Sequence, residues 1–390
     1  MSTRLRSIAT AGLLAVLAFA LYATGTGAPL SPAEHDVARQ AGAVGSAPTG
    51  FPLFFHIENE RWLPPVAVYA TALANLVAAP EHAGRLAAAA IGGLNVGLIF
   101  LISRRLQPST PVAVGTALLL LATPAHVVFA RTAVDAIYPL PFALAWLLAL
   151  VTYFDTGDRR YAAAGAFALG AGMYSHPSAP LTMGFLLLVT MAVMWMAGRC
   201  DAASLAVPAA AFAAPLALAM AWFAANPSAY PDTFGRWAIH PAHLRFPLDG
   251  LRAFVNWNTL GTRLSLYWGS FDPSWLFFAN AATRASALRG TAPFLLATAV
   301  ALAAGVSQRL RAGPTPVTLL LLAGVAVAPL AASTFGAPHA IADFLLMVPL
   351  VVLLTAGGVA GWLARDGWWR MLGWAVMAAL AVDAARFAAF

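Results

Sequence analysis

Apolar residues run through this chain in long blocks instead of alternating with polar ones. The blocks lie near 7–24, 84–103, 111–128, 137–154, 161–175, 180–197, 204–224, 291–306, 315–333, 344–362 and 371–389, and polar turns bound them. A helix needs about 20 apolar residues, roughly 17–25, to cross the hydrocarbon core of a bilayer. The pattern therefore predicts an all-α polytopic membrane protein with about eleven transmembrane helices. The range is ten to twelve, because the block at 161–175 is short and Gly-interrupted.

Two stretches between blocks, about 26–83 and about 225–290, are too long to be plain connections, since structureless loops beyond ~12–15 residues are uncommon in compact domains. Both are rich in aromatic and apolar residues, which favour the headgroup level. They predict interfacial helices and turns on one leaflet. "VAVYATALANLVAA" (66–79) is short for a span and follows Pro64 and Pro65, so it predicts a surface or shallow re-entrant helix. "LRAFVNWNTLGTRLSLYW" (251–268) mixes Arg, Asn and Thr with Leu, Phe and Trp and predicts a helix lying in the interface. No internal sequence repeat is evident.

Composition agrees. The 390 residues are 61% hydrophobic and only 9% charged, with a mean hydropathy of +0.77; soluble domains carry about 25% charged residues. The formal charge of +7 does not point to nucleic acid, because its distribution follows the membrane. All 22 basic residues are Arg. Arg4, Arg6, Arg104, Arg105, Arg159, Arg160, Arg199, Arg309, Arg311, Arg365 and Arg370 fall in short segments at alternate helix ends. By the positive-inside rule these ends are cytoplasmic, as is the N-terminus, and the C-terminus is outside. Residues 1–28 have the marks of a cleavable signal peptide or of an uncleaved first helix. The single cysteine, Cys200, excludes an intramolecular disulfide.

The same topology gathers all eight histidines on or near the outer face. Ten of the fifteen acids join them: Glu34, Asp36, Glu58, Glu60, Glu81, Asp135, Asp232, Asp249, Asp272 and Asp343. Ser31-Pro32-Ala33-Glu34 fits a capping box, with Ser31 as N-cap, Pro32 at the first helical position and Glu34 reaching back. Asp36 lies about 200° further around that helix and has no capping role. "FFHIENERWLPP" (54–65) alternates Glu58 and Glu60 as an extended strand or water-facing turn does. His56, His35 and a carboxylate could hold a metal, but no ligand spacing supports this.

"FARTAVDAIYPLP" (129–141) sets Arg131 and Asp135 four apart, as a helical ion pair or as boundary charges with a function. "STFGAPHAIADF" (333–344) sets His339 and Asp343 four apart beyond a helix break, and His176 in "YSHPSAP" marks a third outer helix end. Together they predict a polar outer cluster that forms a cavity at the leaflet surface.

The acidic motif after the first span, the "WLPP" turn, "VVFARTAVD", "AAGAFALGAGMYSHPSA", "YWGSFDPSWLFFANAATR" and "APLAASTFGAPHAIADFLLMVP" occur in an order that resembles the GT-C membrane glycosyltransferases. The likeness is to the dolichyl-phosphate-mannose-protein mannosyltransferase type and the lipid A aminoarabinose transferases, over residues 5 to 360. It implies one transmembrane domain over 1–390, without the appended outer domain of some relatives. It further implies a polyprenyl-phosphate-sugar donor, a lipid, protein or glycan acceptor, and chemistry at the outer face, with membrane lipids but no nucleic acid as partners. No cofactor is required, and divalent-metal dependence stays open.

"DVARQA" (36–41) matches the family's acidic motif at Asp36, Ala38 and Ala41, with Val37 where relatives have Glu. The resemblance thus implies Asp36 as general base and Glu34 as cap or auxiliary acid. Arg131, Asp135 and His339 become contacts to substrate or donor phosphate. Relatives often carry Arg after "PHA" and this chain does not, which turns to Arg245, Arg263 or Arg284 of the long loop. An all-Arg chain without Lys suggests a bacterial inner membrane, with the outer face periplasmic. A transporter or flippase of a lipid-linked or amphiphilic solute is the alternative from another class. Transporters show repeats and midplane polar groups, and neither feature is evident here.

Overall fold

The computed structural model describes residues 3–24, 29–44, 52–57, 61–227, 257–278, 291–335 and 339–388. Glu58, Glu60, Arg245, Arg284 and the stretch 228–256 lie outside the described residues. The first span, α1 (Thr3–Tyr22), is followed by α2 (Pro32–Ala43) and a small hairpin of β1 (Phe55–Ile57) and β2 (Arg61–Leu63). The strands are antiparallel with His56 opposite Trp62; the extended backbone agrees with the strand or turn expected in 54–65, while the pairing is not read from the sequence. Then come α3 (Pro65–Ala74), α4 (Pro80–Leu106), α5 (Thr110–Ala122) and α6 (Pro124–Ala130). α3 is too short to span and ends beside the exposed Leu73, Leu76 and Val77, in keeping with a surface or shallow re-entrant helix.

A bend of 64° separates α5 from α6 at Pro124, whose missing N–H and ring interrupt the helix. A 3-10 turn over Asp135–Ile137 leads into α7 (Pro139–Thr156), followed by α8 (Arg159–Gly172), α9 (Ala179–Met196) and α10 (Ala202–Ala225). After the long loop stand α11 (Trp257–Gly269), α12 (Pro273–Phe277), α13 (Thr298–Arg311) and α14 (Pro316–Phe335). A second 3-10 turn, Ile341–Phe344, precedes α15 (Met347–Leu363) and α16 (Trp368–Ala388).

Among the described residues, seven helices are long and apolar enough to cross a membrane, or eight if α5 and α6 form one broken span. Three of the expected eleven runs form shorter helices. α8 and α13 have 14 residues each and α15 has 17. α15 is nevertheless central, with every side chain from Met347 to Thr355 buried. Close backbone contacts hold the bundle together: a Cβ on Gly93 of α4 would meet the Ala15 carbonyl of α1, and one on Gly358 of α15 the Ala301 carbonyl of α13. Small residues at such crossings let membrane helices approach and gain packing where no hydrophobic drive exists.

α11 is amphipathic inside out. Trp257, Leu260, Leu264 and Trp268 face outward while Thr259 and Arg263 are buried, which suits a helix against lipid. The Arg-rich end of the bundle carries exposed pairs: Arg105–Asp155 at 3.3 Å, Arg159–Asp201 at 2.7 Å and Arg370–Asp366 at 2.6 Å. At the same end Arg199 donates to the carbonyls of Tyr153 and Phe154. The opposite end holds the groups considered next.

Candidate functional site

Ser31, Pro32 and Glu34 form the expected capping box: the Ser31 N–H donates to Glu34 Oε2 at 2.8 Å, and the Glu34 N–H to Ser31 Oγ at 3.4 Å. Glu34 does more than cap. Arg85, one turn into α4, grips it with Nε to Oε1 at 2.9 Å and Nη2 to Oε2 at 3.1 Å, and Nη2 also donates to the Pro29 carbonyl. The Ala133 N–H donates to Oε1 at 2.9 Å. One buried carboxylate therefore ties α2, α4 and the turn after α6 together. Burial alone would raise its pKa; the Arg85 pair and the N–H groups of Ser31 and Ala133 outweigh that and lower it to about 2. Asp36 points to the other side of α2 and pairs with Arg39 at 3.1 Å, both partly exposed.

Two residues beyond Ala133, Asp135 faces His176, which follows the end of α8. The distances from His176 Nε2 are 3.6 Å to Asp135 Oδ1 and 3.9 Å to Asp343 Oδ1 on the second 3-10 turn. Both exceed hydrogen-bond length, so the imidazole sits between two carboxylates without closing on either. The Ser178 backbone N–H points at Nδ1 (3.1 Å), and Ser178 Oγ lies 2.8 Å from Nδ1 and donates to the Asp343 carbonyl at 3.0 Å. With an N–H donating to Nδ1, the imidazole proton is assigned to Nε2, facing the carboxylates. Burial raises the Asp343 pKa; His176 opposes the shift and Asp135 adds to it.

His176 also lines a cavity of about 390 Å³ between the hairpin, α9 and α10. Phe54, Trp62, Tyr174, Phe212 and Phe223 supply its aromatic walls. They are locked by ring contacts of Phe54 with Trp222 (4.7 Å) and Phe223 (5.7 Å), and of Trp62 with Trp222 (5.1 Å). The Tyr174 hydroxyl is spent on the Pro215 carbonyl.

The expected outer cluster thus forms from Asp135, His176 and Asp343, but not from every residue proposed for it. Arg131 does not pair with Asp135; its exposed guanidinium donates to Thr24 O at 2.6 Å and Oγ1 at 3.0 Å. His339 parts from Asp343, because its left-handed backbone (φ 58°) turns the ring onto Trp275, 5.0 Å away. Arg263 is buried on α11. Among the described residues no three His, Cys, Asp or Glu side chains are grouped to hold a metal; His56 packs on Trp62 and His35 is exposed. Asp383 accepts from the Ala297 N–H at 3.0 Å, joining α16 to the segment before α13. Arg85 and Ser178 escape the sequence reading. The signal for Arg85 was a charge inside an apolar run, which demands a partner.

In sequence, no family model and no curated protein matches the chain. Solved structures match it in fold. ArnT from Cupriavidus metallidurans bound to undecaprenyl phosphate aligns at a TM-score of 0.62 and 16% identity, covering 96% of this chain and 63% of that one. The Archaeoglobus fulgidus oligosaccharyltransferase in complex with Zn and sulfate aligns at 0.58 and 12% identity, covering 97% and 52%. AglB from the same organism, with an inhibitory peptide and a dolichol-phosphate, aligns at 0.55 and 14% identity, covering 98% and 55%. The chain spans 52–63% of the length of these structures. ArnT and AglB are GT-C membrane glycosyltransferases, and this chain shares their fold.

Proposed function

We propose that this protein is an integral membrane glycosyltransferase that moves a sugar from a polyprenyl-phosphate-linked donor to an acceptor hydroxyl. The outer, periplasmic side of a bacterial inner membrane is the side of transfer. The observation that carries the reading is the Asp135–His176–Asp343 cluster, whose His176 lines an apolar cavity, at the end of the bundle away from the Arg-bearing turns. Two fold neighbours hold undecaprenyl phosphate and dolichol-phosphate, which supports a lipid-phosphate donor.

Transfer needs a carboxylate within reach of the acceptor proton and cations where charge grows on the departing phosphate. Asp343 and Asp135 suit the first role. They are ionisable, only partly buried and, among the described residues, not consumed by hydrogen bonds, whereas Glu34 is fully engaged and Asp36 is held by Arg39. Arg131, Arg263 and His339 are the candidates for the second. A flippase is less well supported, because the ionisable cluster gathers at one end of the bundle.

The test is lipid mass spectrometry on membranes of a null strain complemented with wild type, Asp343→Asn or Asp36→Asn. A polyprenyl-phosphate-sugar that accumulates in the null and with Asp343→Asn, and clears with wild type, supports the reading. No prenyl-linked sugar changing in any strain contradicts it, and accumulation with Asp36→Asn alone moves the base to Asp36.

A further inference from the structure

The cavity at His176 says what kind of acceptor the protein takes. Among the described residues its lining is apolar except for His176, the Tyr174 phenol and the Trp62 indole N–H, and no cation lines it. Its head is His176, backed by the Asp135 and Asp343 carboxylates, which stand 3.6 and 3.9 Å from Nε2 without lining the cavity themselves. Such a head repels a phosphate and accepts from a hydroxyl, so its charge complements an acceptor and not the donor's phosphate. Its volume is near the lower end of the roughly 300–1,000 Å³ typical of small-molecule sites. That is room for one chain or a compact apolar group.

One side of the cavity faces the bilayer. Leu216 and Met220 of α10 both line it and are exposed on a span, and Gly184 of α9 stands beside them. Phe54 and Trp62 of the hairpin region cover the side nearer water. An occupant reaching this space from the hydrocarbon is a lipid.

We infer that the acceptor is a hydroxyl-bearing lipid that enters from the bilayer between α9 and α10. Its chain lies in the aromatic cavity and its hydroxyl at His176. The inference rests on the transferase reading. The acceptor O–H gives its proton to the Asp343 or Asp135 carboxylate as its oxygen bonds to the anomeric carbon. The bond from that carbon to the donor phosphate oxygen breaks, and its electron pair stays on the phosphate. The product is a glycosylated lipid, and prenyl phosphate leaves.

Gly184 offers the test, because a Cβ there meets nothing within 4 Å and Gly184→Leu projects into the cavity from the middle of a helix. The probe is a long-chain alcohol carrying a mid-chain diazirine, photolysed with the full-length protein in phospholipid nanodiscs, with the matching methyl ether as control. The alcohol is expected to label peptides spanning 173–184 and 212–223. Labelling there falls at least tenfold in Gly184→Leu, while labelling around Trp374 and Met377 of α16 is unchanged. Equal labelling in both proteins, or ether labelling as strong as the alcohol's, overturns the inference. The readout needs no turnover, so the two readings fail separately. Cavity labelling without any prenyl-sugar transfer sinks the transferase reading, and transfer without cavity labelling sinks the lipid acceptor.

Discussion

Two carboxylate knots sit at the same end of the bundle, joined by the short turn 131–135. Glu34 is complete: two bonds from Arg85 and one each from the Ser31 and Ala133 N–H groups saturate it. Asp135 and Asp343 face His176 at 3.6 and 3.9 Å and leave lone pairs for something else. Glu34 is held ionised, whereas Asp343 is pushed toward its neutral form. A saturated buried charge supports structure, because breaking it leaves an uncompensated ion. An unsaturated pair of acids beside a cavity suits proton transfer, where a carboxylate must change state within reach of a substrate. The Ala133 N–H bond also gives the first knot a second duty, fixing the turn that presents Asp135 to the second.

Breaking the second knot should therefore leave the first intact, whereas breaking the first shows before all else in stability. Asp343→Asn is expected to cut transfer by roughly 10²–10⁴-fold while melting in detergent stays within a few degrees of wild type. Arg85→Leu should do the reverse first, losing about 3–5 kcal/mol of stability as Glu34 is stranded in the interior. Thermal unfolding in detergent reads that loss.

Acid offers a subtler version of the same cut. The folded-state pKa of Glu34, about 2, lies below the ordinary 4.5. Its contribution, roughly 3 kcal/mol, is complete above about pH 4.5 and is lost as the pH falls toward 2, which a melting series across that window detects. The activity profile should differ in kind, with an acid limb above the usual aspartate range that reports Asp343 and disappears in Asp343→Asn. Smallest is Asp36→Asn, which removes a partly exposed pair worth about 0–1 kcal/mol and should leave both melting and transfer near wild type.

Much of this arrangement is legible in the residue order, because it depends on local rules. Ser31-Pro32-Ala33-Glu34 announces a capping box and becomes one. The Pro64-Pro65 break and the brevity of 66–79 announce a helix too short to span, and the alternation in 54–65 announces extended backbone, though not its pairing. What escapes is long-range. Arg85 lies inside an apolar run, and its partner Glu34 is 51 positions away, so periodicity cannot pair them. The i,i+4 spacings of Arg131 with Asp135 and His339 with Asp343 presume a helix, whereas a turn and a left-handed residue occupy those positions. The chain consequently delivers Asp135 and Asp343 to His176 and sends Arg131 and His339 elsewhere. Span number was blurred for a similar reason: hydropathy alone does not register the stops that shorten α8, α13 and α15.

The central claim is that the open knot performs the chemistry and the closed one supports it. It is tested most directly by single-turnover transfer from a labelled polyprenyl-phosphate-hexose, with wild type, Asp343→Asn and Asp36→Asn purified in parallel and each checked for unchanged melting. Loss of transfer in Asp343→Asn with Asp36→Asn near wild type is the predicted result. Full activity in Asp343→Asn, with transfer abolished in a stably folded Asp36→Asn, would contradict the account.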